Sequence, residues 1–241
     1  MEATLMKRVL GVISALALLL TGCSLLPTPP AQITVMSWNI LNPAWGGPPA
    51  DVRVEPFLKT LTENMPDVIG LQEVSTTWQT ELASLPSPYA AICDKLPNSS
   101  VIGGKDCMTM FLYNTETLTL VENGIEDLDP NSNIRVVSWA VFEAKNGKQF
   151  LITNTHPDSR QAECLKHTKQ YLEIARRLYE EKGLPLISVG DFNALENSPS
   201  YALSIEDGYT DSKYAEGVEL INDFDSYLHG DFGGIVTRGQ G

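Results

Sequence analysis

The sequence predicts a layered α/β fold built on a mixed sheet, and three observations carry this prediction. Apolar runs of strand length recur along the chain, and amphipathic stretches with helical spacing lie between them. A tight hairpin turn is predicted at Asn146-Gly147, because Asn-Gly supplies the positive φ angles that such a turn requires. Strands that are connected by hairpins as well as by helices favour a mixed sheet covered by helices.

The N-terminal segment differs in composition from the rest of the chain. Lys7 and Arg8 precede an apolar run over residues 9–20, which is shorter than the about 20 apolar residues that span a bilayer. This order predicts an export signal over residues 1–22. The end of the signal resembles a bacterial lipobox in which Cys23 is lipidated; the alternative is a plain secretory signal with a chance cysteine.

A short proline-rich stretch over residues 23–31 follows and is predicted to be a tether. We therefore expect a protein of the bacterial cell envelope that is exported and held to the membrane through its N-terminal lipid. Residues 32–241 show no internal repeat and no second linker, so a single domain is predicted there, and a monomer is expected.

The elements of this domain follow from its apolar patterns. A helix is predicted over residues 54–65, ended by Pro66, and a longer one over 159–181, capped by Ser159 and ended by Gly183. Strands are predicted over residues 33–40, 67–74, 108–113, 117–121, 136–144, 149–155 and 184–190. The strands 108–113 and 117–121 are expected to be neighbours.

The charge and the cysteines restrict the function further. A net charge of -13 argues against a tight, non-selective nucleic-acid binder, because such binding depends on Lys and Arg. A nuclease stays possible, since a bound divalent cation supplies local positive charge. With Cys23 lipidated, the preferred disulfide is Cys93 with Cys107, which closes a loop with little else to order it, and Cys164 is left over.

Four apolar strands end in polar side chains, and the ends of strands are where ligand sites form. The residues are Asn39, Glu73, His156, and Asp191 with Asn193. Taken singly, each has a structural alternative. Asn39 can begin a turn, Glu73 can be a solvated helix cap, Asp191 and Asn193 can form an Asx turn, and a lone histidine is more often structural than catalytic.

Taken together and in this order, these residues resemble the endonuclease/exonuclease/phosphatase family. The most specific matches are Leu-Gln-Glu at 71–73 and Gly-Asp-Phe-Asn-Ala at 190–194, and the resemblance covers residues 33 to about 235. It implies a four-layered α/β/β/α sandwich. It also implies a Mg²⁺-dependent hydrolase of phosphate esters, here acting outside the cytoplasm; Mn²⁺ and Ca²⁺ are the alternative ions.

The resemblance also implies a role for each residue. Glu73 holds the metal, with the amide oxygen of Asn39 beside it, and Asn39 also lies near the substrate phosphate. Asp191 aligns or deprotonates the attacking water, and Asn193 fixes a phosphate oxygen or the water. His156 donates to a phosphate oxygen as an imidazolium held charged by an acid, for which Asp106 is a candidate. Tyr113 matches a position near the phosphate, although a core role suits it equally well.

The chain departs from the family pattern at its end, where the Ile-Asp-x-Ile and Ser-Asp-His motifs are expected and neither occurs. We infer a missing C-terminal piece and a sandwich that is incomplete at that end. His229 is not expected to substitute, because it lies in a predicted loop, and His167 is predicted to be on the surface of its helix. The alternative function is therefore a non-catalytic, lipid-anchored surface or binding protein that retains the fold.

The substrate is open among a lipid headgroup, a small phosphoester and nucleic acid. The acidic charge and the predicted anchor favour the first two over duplex DNA.

Overall fold

The computed structural model describes residues 32–82, 85, 87–93, 108–132 and 134–216. These residues, except Gln32, belong to a compact unit that begins at Ile33. The strands are β1 Val35–Asn39, β2 Val68–Gln72, β3 Tyr89–Ile92, β4 Thr109–Asn114, β5 Leu118–Asp127, β6 Val136–Ala144, β7 Gln149–Thr155 and β8 Leu186–Gly190. The helices are α1 Val54–Asn64, α2 Thr76–Leu82, α3 Gln161–Lys182 and α4 Pro199–Glu206, with 3-10 turns at Pro43–Trp45 and Ser212–Tyr214.

The strands form two four-stranded sheets, with the orders β1-β2-β4-β3 and β5-β6-β7-β8. Both sheets are mixed. In the first, β1 and β2 are parallel and the other pairs are antiparallel, whereas in the second only β7 and β8 are parallel. The predicted mixed-sheet architecture is therefore confirmed.

The two sheets pack face to face and helices cover their outer faces. One core cluster joins Val68 and Phe111 of the first sheet to Phe142 and Ile152 of the second. The helices α1 and α2 pack on the first sheet through Phe57, Leu61 and Trp78, and α3 packs on the second sheet through Tyr171, Ala175 and Leu178. This is the α/β/β/α sandwich that the resemblance implied.

The structure shows why residues 68–71 of β2 form an uninterrupted apolar run. Ile69 and Leu71 face the helices, while Val68 faces the second sheet, and all residues of β2 are buried. A strand that is buried on both faces has no polar alternation. Gly70 lies where the two sheets approach closely, because an added Cβ would be 2.4 Å from Cγ2 of Val189.

The predicted ends of the helices agree with the structure in part. Met65 and Gly183 end α1 and α3 in the left-handed conformation, as expected before Pro66 and at a glycine. The prediction of a Ser159 cap is wrong. Arg160 occupies the cap position without a side-chain cap, and its N–H donates to Oδ1 of Asp158, so an Asx turn leads into α3.

The expectation that residues 108–113 and 117–121 form neighbouring strands is also wrong. The β4 strand pairs with β2 and β3, whereas β5 pairs with β6, so the turn at Thr115–Thr117 carries the chain from one sheet to the other. The β5 strand is longer than predicted, because a register shift between Leu120 and Glu122 interrupts its alternation. The predicted hairpin over Val136–Thr155 is confirmed.

Several expectations concern residues that the structure does not describe. They include the export signal, the tether and Cys23, and also Asp106, Cys107, His229 and the C-terminal segment. Cys93 is disulfide-bonded, and Cys164 is free and buried. Among the described residues, no helix has both the length and the apolar character to cross a membrane.

Candidate active site

Two pairs of parallel strands end at the candidate site, one pair from each sheet. Asn39 is paired with Gln72 at the ends of β1 and β2, and Glu73 follows directly. Thr155 is paired with Gly190 at the ends of β7 and β8. Because parallel neighbours finish at the same edge, the residues after them, His156 and Asp191, lie side by side.

Gly190 is required by the close approach of β7 and β8. A Cβ at this position would lie 2.4 Å from the carbonyl oxygen of Thr155. The Gly190 N–H also donates to Oγ of Ser37 on β1, at 3.1 Å, so β8 is joined to the first sheet just before Asp191. A larger residue would displace the strand that positions Asp191.

The Asn39 amide bridges the two strand pairs. Its Nδ2 donates to Oε1 of Glu73 at 2.7 Å and to Oδ2 of Asp191 at 2.8 Å. Its Oδ1 accepts from the N–H of Leu41 at 2.9 Å, which fixes the orientation of the amide. Glu73 and Asp191, which come from different sheets, therefore converge on one amide group.

Glu73 is held from both sides and is buried. Its Oε2 accepts from the N–H of Asn42 at 2.7 Å, while Oε1 faces Asn39. Its φ of 63° lies in the left-handed region, which non-glycine residues seldom adopt. This conformation turns the carboxylate from the end of β2 toward the site, and such strain concentrates at functional positions.

His156 lies against Asp191, with 3.6 Å between Nε2 and Oδ2, and its ring is buried. Burial lowers the pKa of His156, and this effect outweighs the Asp191 carboxylate, which acts in the opposite direction. Burial therefore acts against the expected imidazolium, whose role stays a prediction. Among the described residues, Asp191 is the acid in contact with His156.

Asn193 joins the two turns that carry His156 and Asp191. Its N–H donates to Oδ1 of Asp191 at 3.1 Å, and its Nδ2 donates to the carbonyl oxygen of Pro157 at 3.0 Å. Its φ of 49° is again left-handed. One N–H of the amide is thus engaged with the protein, and the second is available to a ligand.

A buried polar layer between the sheets supports the site from below. Nε2 of Gln72 donates to Oδ1 of Asn154 at 2.8 Å, and Nδ2 of Asn154 donates to the carbonyl oxygens of Leu71 and Met110. Sequence reasoning did not single out Gln72 or Asn154. The available signal was a polar residue in an otherwise apolar strand, one residue before Glu73 and two residues before His156.

Arg135 was also missed. Its Nη1 donates to the carbonyl oxygen of His156 at 2.8 Å, and its Nη2 is 4.0 Å from Asp158. Burial lowers the pKa of Arg135, and the carboxylates of Asp158, Glu73 and Asp191 oppose that shift. In the sequence, the only signal was a lone arginine immediately before the buried β6 strand.

The geometry agrees with a comparison against known families. The model of the Endonuclease/Exonuclease/phosphatase family matches residues 36–238, which is most of the chain. The chain belongs to this family.

Solved structures in the comparison share the fold. A mannosyl-6-phosphatase from Bacteroides thetaiotaomicron VPI-5482 is 25% identical with a TM-score of 0.60, covering 73% of this chain and 71% of that one. The human Nocturnin catalytic domain, with a bound sulfate anion, is 25% identical with a TM-score of 0.56, and the match covers 70% of this chain and 68% of that one. D. rerio TDP2, complexed with a single-strand DNA product, is 19% identical with a TM-score of 0.58, and the match covers 73% of this chain and 64% of that one. At this identity the likeness to TDP2 shows the fold alone. No curated protein matches the sequence.

The structure bears on two expectations drawn from the resemblance to this family. Tyr113 pairs with Val68, at the opposite end of β2 from Glu73, and its ring packs 5.1 Å from that of Phe142. Tyr113 therefore belongs to the core between the sheets. Asn39 turns its amino group toward Glu73, and its Oδ1 accepts from the N–H of Leu41, so in this arrangement the amide is a hydrogen-bond donor to the carboxylate; its predicted place beside the metal stays a prediction.

The prediction that His167 is a surface residue is wrong, because its side chain is buried. Its Nδ1 accepts from the N–H of Asp158 at 3.1 Å, and its Nε2 lies 3.2 Å from Oδ2 of Asp129. Both ring nitrogens are engaged. The group formed by Asp129, Glu163 and His167 therefore lacks a free imidazole lone pair for a metal ion, and the Lys166 ammonium already lies beside both carboxylates.

The residues that this family member places at its strand ends do fit a divalent cation. Glu73, His156 and Asp191 offer ligand atoms that all lie within 4.8 Å of one another. In the described part of the chain, the donors to the two carboxylates are asparagines, main-chain N–H groups and His156, with no Lys or Arg. Two carboxylates that no described Lys or Arg contacts directly form a site that favours a divalent ion.

Proposed function

We propose that the protein is a divalent-metal-dependent hydrolase of phosphate esters that acts outside the cytoplasm. The observation that carries the proposal is the convergence of Glu73, Asp191 and His156 on the Asn39 amide at the edge of both sheets. Membership of the family and its likeness to a mannosyl-6-phosphatase support the reaction class. The location is supported by the export-signal pattern in residues 1–22.

Hydrolysis of a phosphate ester requires charge neutralisation, a positioned water and stabilisation of a pentacovalent phosphorus. Glu73 is the proposed metal ligand, because carboxylate oxygens suit Mg²⁺ better than an imidazole nitrogen does. When bound, Mg²⁺ would neutralise phosphate charge and make a coordinated water more acidic.

Asp191 is placed to act on the attacking water. Its side chain is 32% exposed, in contrast to that of His156 at 6%, so solvent reaches its carboxylate. Both oxygens already accept hydrogen bonds, from Asn39 and from Asn193, and these bonds fix the plane of the carboxylate. A fixed carboxylate can orient a water and accept its proton as phosphorus is attacked.

The two asparagines have different parts in the arrangement. Both N–H groups of Asn39 are used by Glu73 and Asp191, so Asn39 positions the two carboxylates, whereas Asn193 has a second N–H that is not used by Pro157 and can donate to an anionic oxygen. Preorganised N–H donors stabilise the charge that develops on phosphate oxygens during attack.

The proposal is tested on the full chain by metal titration and by hydrolysis of p-nitrophenyl phosphate and bis-p-nitrophenyl phosphate with Mg²⁺ or Mn²⁺. Glu73→Gln should abolish metal binding in calorimetry and lower the rate by about two orders of magnitude or more. Glu116→Gln, which changes an exposed glutamate on the turn between β4 and β5, is the control and should bind metal normally. A folded protein that neither binds metal nor cleaves either ester would instead indicate a non-catalytic binding module.

A further inference from the structure

A polar cavity of about 440 Å³ lies next to the candidate active site. The two are adjacent because Arg135 and Asp158 line the cavity, while Arg135 also holds the carbonyl oxygen of His156. Asp158 is two residues beyond His156, so one turn of chain separates the cavity from the imidazole. The cavity therefore borders the chain segment that carries His156.

The cavity has equal numbers of cationic and anionic side chains, and these side chains form ion pairs with one another. The three cations are Arg135, Arg160 and Lys166, and the three carboxylates are Asp129, Asp158 and Glu163. Arg160 lies 2.9 Å from Asp158, and Lys166 lies 3.5 Å from Glu163 and 3.9 Å from Asp129. A second anionic group entering the cavity would have to displace a carboxylate from its cation.

The lining also has little apolar surface. Ile134 is the single apolar side chain among the described residues that line the cavity, and none of them is aromatic. An acyl chain would find no apolar wall, and a nucleobase would find no ring on which to stack. Alternating carboxylates and cations are, in contrast, well suited to hydroxyl groups, because each hydroxyl both donates and accepts a hydrogen bond.

We propose that this cavity binds a neutral, polyhydroxylated leaving group, so that the substrate is the phosphate monoester of a sugar or polyol. The inference rests on the proposed function of the adjacent site. In the reaction, a water oxygen bonds to phosphorus and the P–O bond to the sugar breaks. The proton lost by water balances the proton gained by the sugar oxygen, and the products are inorganic phosphate and the free sugar.

The test compares a hexose 6-phosphate with p-nitrophenyl phosphate, which carries the same phosphate on a leaving group without hydroxyls. We expect kcat/KM to favour the hexose ester. Glu163→Gln and Lys166→Ala should each reduce that preference about tenfold, the usual effect of removing a hydrogen bond to a charged group. Lys169→Ala is the matched control, because Lys169 is an exposed lysine on the same helix outside the cavity.

A binding measurement separates this inference from the proposed function. Calorimetric titration of the Asp191→Asn variant with hexose 6-phosphate should show binding that weakens when Glu163→Gln is added. If adding Glu163→Gln abolishes this binding while the wild type does not hydrolyse the ester, the result would support the cavity as a binding site and contradict the proposed hydrolase. A preference for an oligonucleotide or for a phosphocholine lipid, or a hexose preference unchanged in both cavity variants, would overturn the inference.

Discussion

At the scale of single residues, the site depends on a small number of side chains held in unusual conformations. Glu73 and Asn193 both adopt positive φ angles, and each follows a strand by one to three residues. Such conformations cost of order 1–3 kcal/mol each, so they persist only where surrounding contacts impose them. Here the contacts are the N–H of Asn42 for Glu73 and the carbonyl oxygen of Pro157 for Asn193.

Asp191→Asn should separate catalysis from folding. The amide keeps an oxygen that can accept from Asn39 or Asn193, but it cannot accept a proton from water. We expect kcat for p-nitrophenyl phosphate to fall about 10²- to 10⁴-fold, as for loss of a general base. The melting temperature measured by circular dichroism should change little. Asp51→Asn, at an exposed aspartate, is the control, and an equal loss of rate in both variants would contradict the assignment.

Arg135 acts through His156 and is therefore a positioning residue. A lysine at this position keeps the charge but provides a single donor, which cannot reach both the His156 carbonyl oxygen and Asp158. We expect Arg135→Lys to lower kcat about tenfold or more, because small displacements of reacting groups are costly. Arg176→Lys is the control, since Arg176 pairs with Asp207 on the exposed side of α3. A drop in melting temperature without a change in kcat would reduce Arg135 to a structural role.

At the scale of elements, the sequence predicted the ends of strands better than the neighbours of strands. Asn39, Glu73, His156 and Asp191 were identified because polar residues after apolar runs are visible in the sequence. The separation of β4 and β5 into different sheets was not predicted, because a three-residue connection can join two strands of a hairpin or can carry the chain from one sheet to the other. The short elements α2, β3 and α4 were also missed, since four to eight residues carry little periodicity.

Arg135 and the interior position of His167 could not be predicted for a different reason. Their roles arise from contacts across 21 and 38 residues, with His156 and with Asp129 respectively, and no local pattern encodes such distances. His167 follows the helical spacing of the buried face of α3, but its polarity suggested the surface. A buried histidine requires partners on both nitrogens, and only the fold shows that Asp129 and the N–H of Asp158 supply them.

Asp129 holds the loop after β5 against α3, and the stabilisation that this contact contributes should depend on pH. Burial alone would raise the pKa of Asp129, but the N–H of Asn131, the imidazole of His167 and the Lys166 ammonium together lower it below 3.8. A lowered pKa means that the folded state binds fewer protons than the unfolded state. The stabilisation from Asp129 is therefore complete when the pH is above the ordinary pKa of an aspartate. It is lost as the pH falls through the pKa that Asp129 has in the folded state.

We expect Asp129→Asn to reduce the free energy of unfolding by about 2 kcal/mol near neutral pH, as for a hydrogen-bonded buried charge. The difference in the free energy of unfolding between the wild type and the variant should become smaller as the pH is lowered below about 4. Urea denaturation at a series of pH values provides the measurement. Glu122→Gln, which breaks the exposed contact of Glu122 with Lys182, is the control and should show a smaller difference. A difference for Asp129→Asn that grows on acidification would contradict the assigned direction.

At the scale of the whole molecule, the site forms because strands of the two sheets end at the same edge of the sandwich and contact one another there. Ser37 contacts Gly190, Asn39 contacts Asp191, and Gln72 contacts Asn154, and each contact joins one sheet to the other. The distance between the sheets therefore sets the distance between Glu73 and Asp191. Gly70 permits that distance, because its missing side chain leaves room for Val189 and Asn154 of the second sheet.

A pair of substitutions tests whether the spacing of the sheets controls the site. Gly70→Ala introduces a Cβ that would lie 2.4 Å from Cγ2 of Val189, and we expect a loss of about 1–3 kcal/mol in the free energy of unfolding. Val189→Ala removes that methyl group, so the double variant should be more stable than the sum of the single effects predicts, by about 1 kcal/mol. Urea unfolding measures the coupling.

The same variants should connect stability to catalysis. Because Val189 lies two residues before Asp191, displacement of the second sheet by Gly70→Ala should also lower kcat, and Val189→Ala should restore part of the rate in the double variant. Asn154 is 3.1 Å from the added Cβ, so the recovery is expected to be incomplete. If the effects of the two substitutions on unfolding are additive, the sheets are not in the close contact that places Asp191 opposite Glu73.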